Sequence, residues 1–126
     1  MIELSSAMVD FIAERHLAVL ATQRADGSPH AVPVGFTFAS GVARVITFAP
    51  SVKARNARRG GRASVTQIDG ARWVTFEGPV RLLDDAAAVA SAVAAYAQRY
   101  RQPKVRDDRV VVEIEVDRVM CSSGLK

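Results

Sequence analysis

The sequence predicts a small, mainly β protein, with about six antiparallel strands forming a barrel and helices at its periphery. Three observations predict it. Asp26-Gly27 and Asp69-Gly70 each stand between apolar segments, the pattern of a tight hairpin turn. Val112, Ile114 and Val116 alternate with Glu113, Glu115 and Asp117, and Val110 falls on the apolar side, the two-residue period of a strand. Most predicted strands are joined by short turns, so hairpins prevail over crossover units. With 126 residues the chain corresponds to one domain spanning residues 1–126, large enough to bury a core without disulfide staples.

Each element has a local reason. Ser5 or Ser6 caps a first helix, in which Met8, Phe11 and Ile12 fall at helical spacing and Glu14-Arg15 close the end. A short apolar strand follows over residues 17–23. Beyond the Asp26-Gly27 turn, residues 30–38 resume the extended pattern. Pro33 lacks the N–H a ladder needs, so this strand belongs at an edge or carries a bulge. Gly41 turns the chain into a third strand, residues 42–48, which Pro50 ends. Ser51 caps a short helix over residues 52–59, and Gly60-Gly61 stop it. Strands over 63–69 and 71–83 make the second hairpin. Asp84 and Asp85 open a helix from about residue 86 to residue 100, with acids at its positive end and Pro103 beyond it. The last strand, residues 110–120, places Glu113, Glu115 and Asp117 on one face. So few and such short strands make a poor open sandwich alone, which favours a dimer.

Composition narrows the function. Hydrophobic residues make up 49% and charged residues 24%, as in ordinary soluble proteins. The single cysteine, Cys121, excludes an internal disulfide framework and suits a reducing compartment. The chain opens with neither a leader pattern nor a membrane span, so a cytoplasmic protein is expected. Two histidines and one cysteine make no convincing zinc site, and no metal is expected. No nucleophile elbow, Walker loop or Gly-x-Gly-x-x-Gly run is found, and no catalytic residue is singled out.

The net charge of +4 is unevenly spread. Lys53, Arg55, Arg58, Arg59 and Arg62 lie within APSVKARNARRGGRAS, residues 49–64, which contains no acid, whereas residues 107–117 hold five. This asymmetry suggests one electropositive site more than a polyanion-coating surface. Ser51 stands at a helix N-terminus with free N–H groups, and Asn56 follows Lys53 by one turn. Such donors suit a phosphate. A hydrogen bond to a charged group is worth roughly 1.5–3 kcal/mol, against about 0.3–1 for the helix dipole, so Lys53 would dominate. Arg58 and Arg59 read equally as a solvated helix face. A helix of two turns without a helix-turn-helix partner, and a basic run without aromatics, argue against nucleic acid.

Three segments now fall into a familiar order: Ala21-Thr-Gln-Arg-Ala-Asp-Gly-Ser-Pro-His-Ala-Val-Pro-Val34, Ser51-Val-Lys-Ala-Arg-Asn56 and Trp73-Val-Thr-Phe-Glu-Gly-Pro-Val80. Together they resemble the pyridoxine 5′-phosphate oxidase-like superfamily, whose members are split β-barrel homodimers holding a flavin or deazaflavin at the subunit interface. Within it the chain resembles the B-type F420-dependent oxidoreductases. Val34-Gly-Phe-Thr-Phe38, Gln67-Ile-Asp-Gly-Ala-Arg-Trp73 and residues 96–101 are especially similar to the F420-dependent biliverdin reductase group.

The resemblance implies roles for these positions. Ser51, Lys53 and Asn56 would hold the cofactor's phosphate, with Thr47 beside it. Pro33, Val34 and Gly35 would line the tricyclic ring with backbone atoms, and Gln67 and Ile68 would flank its other side. Trp73, Tyr100 and Arg101 would approach from the second subunit, although Trp73 beside a turn and the Tyr96–Tyr100 pair read equally as packing aromatics. The implied activity is F420H2-dependent reduction of a conjugated small molecule, a biliverdin-like tetrapyrrole first among them. Because the phosphate grip is shared across the superfamily, FMN remains the alternative cofactor. An FMN-dependent oxidase-like enzyme and a non-catalytic flavin- or deazaflavin-binding protein remain the alternative functions. Relatives often continue the short helix into Asp-Pro-Arg, where this chain has Gly60-Gly61-Arg62.

Overall fold

The computed structural model describes residues 2–126. Met1, the first residue of the expected 1–126 domain, lies outside them. Ser5 accepts a hydrogen bond from the Met8 N–H and so caps α1 (Ser6–Ala13), which buries Phe11. β1 (Ala18–Gln23) and β2 (Pro29–Val34) form the first hairpin, and β3 (Thr37–Ala39) pairs with β4 (Val42–Phe48). Ser51 caps α2 (Val52–Arg59), and Gly60 ends it at φ +83°, a conformation that favours glycine. β5 (Arg62–Asp69) and β6 (Arg72–Leu83) form the second hairpin. Asp85 caps α3 (Ala86–Arg99), and β7 (Arg109–Glu115) and β8 (Arg118–Cys121) complete the strands.

All pairings are antiparallel, in the order β2-β1-β5-β6-β7-β4-β3, with β8 on β6. The two ends of that order, β2 and β3, are consecutive in the chain through Gly35-Phe36, so the sheet curls around one core. Leu20, Phe36, Val65, Val74, Phe76 and Val112 have no exposed surface there. β6 is long enough to serve both halves, pairing with β8 through its first part and β7 through its last. Gly78 marks the change of partner. A Cβ at that position would lie 1.8 Å from the Glu115 carbonyl oxygen.

Among the described residues there are eight strands where six are expected, and both differences share a cause. The segment read as one strand over 30–38 breaks at Gly35-Phe36, because its first half pairs with β1 and its second with β4. The segment over 110–120 breaks at residues 116–117, because β7 pairs with β4 and with residues 80–83 of β6, whereas β8 leaves β4 and pairs with residues 74–77 of β6. Local alternation persists across such a change of partner and does not record it.

Glu113, which the alternation places on the face opposite Val112 and Ile114, is a buried charge. It is 3% exposed, and Arg44 and Arg81 stand opposite it on the two neighbouring strands. Their Nε atoms donate to its carboxylate at 2.9 and 2.8 Å. Two arginines make the buried charge tolerable, as a lone carboxylate there would not be. Pro33 lies on β2, an edge strand of the order, as its missing N–H requires.

Candidate functional site

The site is set by what lies at the start of α2 and beside the β2–β3 break. Thr47, the penultimate residue of β4, is buried, and its hydroxyl donates to Ser51 Oγ at 3.0 Å. Ser51 Oγ in turn accepts the Ala54 N–H at 3.2 Å. The two hydroxyls therefore fix the first turn of α2. That turn directs Lys53 to a cavity of about 220 Å³, which it lines together with Pro33, Val34 and Gly35. Val45, Ile46, Tyr96, Pro103 and Arg109 complete its lining.

Lys53 is half-buried, and burial holds its ammonium below the ordinary lysine range. Among the described residues it makes no hydrogen bond and no ion pair. A desolvated cation without a partner, at a capped helix start, is suited to an anion. Asn56 does not join it. Its Nδ2 donates to Thr22 Oγ1 at 3.0 Å and its Oδ1 accepts from Arg59, so this buried amide ties α2 to β1.

Gly35 forms the cavity wall for a steric reason. A Cβ there would meet the rings of Tyr96 and Tyr100 at 3.0 Å, and those rings pack 4.9 Å apart. Tyr100 stands in its own chain, behind Gly35. Its hydroxyl donates to the His16 carbonyl at 2.9 Å and accepts the Phe36 N–H at 3.2 Å. Burial raises its phenol above the ordinary range. The neighbouring Arg99 donates to the carbonyls of Phe36 and Glu14 and to Gln67 Oε1. The segment carrying Gly35 is thus held from behind by two side chains of α3 and its cap.

The remaining expected residues lie elsewhere. Gln67 has no exposed surface, and its Nε2 donates to the Phe11 carbonyl at 2.9 Å. Ile68 is 56% exposed and pairs across the β5–β6 hairpin with half-buried Trp73. Arg101 is exposed and does not line the cavity. Ile68 instead shares the outer sheet face with exposed Leu17, Val19 and Met120. Val19, Thr66, Thr75 and Met120 follow one another in register across β1, β5, β6 and β8.

Sequence reasoning missed Tyr96, Pro103 and Arg109 as lining residues. Arg109 reaches the site because it pairs with Phe48 at the end of β4, a register no local motif encodes. A larger cleft of about 530 Å³ lies between α1, β3 and α3, with Ile12, Phe38 and Ala95 among its lining residues. Its two cations are engaged, Arg44 with Glu113 and Arg99 with three carbonyl groups, whereas Lys53 of the smaller cavity has no such partner among the described residues.

Comparison with known proteins gives this geometry a context. Residues 4–120 match the family model described as pyridoxamine 5′-phosphate oxidase. The chain is 50% identical over 124 residues to an F420H(2)-dependent biliverdin reductase of Mycobacterium tuberculosis (strain CDC 1551 / Oshkosh), covering 97% of this chain and 90% of the relative. It is similar in structure to a conserved hypothetical protein of Mycobacterium tuberculosis, with a TM-score of 0.81 and 28% identity over 96% of this chain and 86% of that one. It also matches an F420 reductase in fold, with a TM-score of 0.73 and 22% identity over 88% of this chain and 94% of that one.

Proposed function

The chain belongs to the pyridoxamine 5′-phosphate oxidase family, and from that footing we propose that it is an F420H2-dependent reductase of a biliverdin-like tetrapyrrole. The nearly end-to-end likeness to a biliverdin reductase carries this reading. When bound, the reduced deazaflavin supplies the hydride, which leaves the protein the tasks of holding, orienting and excluding water. The residues present suit those tasks.

Lys53 offers the charge for the cofactor's phosphate, and the Ser51–Thr47 pair fixes the helix turn that presents it. Pro33, Val34 and Gly35 offer a flat backbone edge for the tricyclic ring, stiffened by Tyr96 and Tyr100. Asn56 and Gln67 serve as supports for this frame, Gln67 through Arg99.

The working unit in this reading is a homodimer. The exposed row of Leu17, Val19, Ile68 and Met120 is the apolar face a second copy would cover, and it would bring Ile68 and Trp73 against that copy. Arg101, exposed at the end of α3, would reach the same interface. A cytoplasmic setting suits the lone Cys121, and no helix among the described residues is long and apolar enough to cross a membrane.

Side-by-side titration with F420 and FMN, followed by F420H2 oxidation in the presence of biliverdin, tests the function. Tight F420 binding with biliverdin-dependent turnover is expected. Protein that purifies yellow with FMN and ignores F420 would replace this reading with a flavin enzyme. Tight F420 binding without turnover by any acceptor would replace it with a carrier.

A further inference from the structure

We propose that His30 is a proton-linked neighbour of the anion site, one that an anion docked at Lys53 helps to take up a proton. The proposal rests on the reading of Lys53 as the cofactor's anion ligand. Three independent facts lead to it.

The first is position. His30 lies on β2 directly opposite Thr22 of β1. Thr22 holds Asn56 of α2, one turn from Lys53. His30 therefore belongs to the seam where the first hairpin meets the helix that carries the candidate ligand. The second is an unmet polar atom. The Nδ1 of His30 is shut off from solvent and has no hydrogen-bond partner among the described residues. Buried ring nitrogens are ordinarily satisfied, so an exception calls for an explanation in function.

The third is the charge around it. Two cations act on the ring, Arg24 from the turn of its own hairpin and Lys53 from α2, while Thr22 and Asn56 are neutral. No carboxylate is among the groups that act on it. The acid on the same turn, Asp26, accepts from the Ser28 hydroxyl at 2.6 Å and its N–H at 2.9 Å. Burial first, and then the two cations, hold the imidazole below its ordinary 6.5. These influences favour the neutral ring.

An anion seated at Lys53 cancels one of those cationic fields. The His30 midpoint then rises, and the ring takes a proton from solvent. The sign follows from linkage. Affinity for the anion gains as pH falls through the midpoint of the bound state and levels off below the midpoint of the free state. Well above both, the residue contributes nothing through charge.

The test compares F420 dissociation constants of wild type and His30→Gln at about pH 8 and about pH 5.5, either side of the ordinary histidine range. The cofactor's own titration acts on both proteins, so the ratio of the two constants isolates His30. Near-equal affinities are expected at the higher pH. At the lower, wild type should bind about threefold tighter or more, which is the size of effect a partial shift in one histidine midpoint produces. A ratio that does not change with pH overturns the proposal.

Because Gln could disturb the seam, the second measurement uses unaltered protein. The chain has only two histidines, and the ring-proton resonance of His30 can be followed against pH with and without F420. An upward move of its midpoint on F420 addition is expected, and an unmoved midpoint overturns the proposal. Failure of wild type to bind F420 at all would instead remove the cofactor reading, and the linkage with it.

Discussion

The C-terminal end of α3 and the first turn of α2 each place a half-buried cation near the β2–β3 break, yet in opposite surroundings. Arg99 donates to the carbonyls of Phe36 and Glu14 and to Gln67 Oε1, and its guanidinium lies 4.7 Å from the Phe36 ring centroid. Lys53 makes no bond to the protein among the described residues. Burial pushes both side chains below their ordinary ranges. Arg99 satisfies the protein's own oxygens and fixes the frame, while the donors of Lys53 have no partner among the described residues and, in the function proposed above, serve the cofactor's phosphate.

That contrast can be broken from the Arg99 side first. Arg99→Met should cost about 3 kcal/mol of stability, because removing the guanidinium strands buried acceptors on three elements. Thermal unfolding measures it. A loss below about 0.5 kcal/mol, typical of an ordinary surface change, would mean that Arg99 is not the frame's anchor. Gly35→Ala should cost roughly 1–3 kcal/mol, since its methyl must displace one of two packed rings. Denaturant unfolding reads that loss, and unchanged stability would show that the tyrosine rings yield freely. Tyr100→Phe should cost about 1 kcal/mol, the worth of a hydroxyl that donates to His16 O and accepts from Phe36 N.

The smallest effect concerns a third charged group, the C-cap of α1. Glu14 accepts from Arg72 at 2.7 Å and from His16 at 3.1 Å, with Asp69 on the same arginine. The Arg72 bond, then the His16 bond, bring the Glu14 carboxyl from 4.5 to about 2. A depressed carboxyl contributes its stability above the unfolded value and loses it as pH falls through the folded one. The contribution should therefore fade between pH 4.5 and about 2, and Glu14→Gln should remove that part of the acid transition. The charges lie open to solvent, so added salt should shrink the difference further.

Much of the frame was legible from local chemistry. Asp-Gly turns located both hairpins, Ser51 and Gly60 bounded α2 to the residue, and Pro33 pointed to an edge strand. Lys53 was legible too, because a cation two residues past a serine cap needs no distant information. The rest depended on partners far away in sequence. Nothing near Glu113 announces that Arg44 and Arg81 will stand opposite it, and nothing near Asn56 reveals that Thr22 will take its amide. Arg109 joins the cavity only through the β4–β7 register. Helical spacing put Asn56 one turn from Lys53, but a spacing says which face a side chain leaves from and not which neighbour claims it.

The measurement closest to the central claim is a fluorescence titration of F420 into wild type and Lys53→Met, with unfolding followed in parallel. Loss of a hydrogen bond to a charged group predicts about 10- to 150-fold weaker binding, with stability unchanged within about 0.5 kcal/mol. Equal F420 affinity in the two proteins would contradict the account, because the unpaired ammonium would then hold nothing.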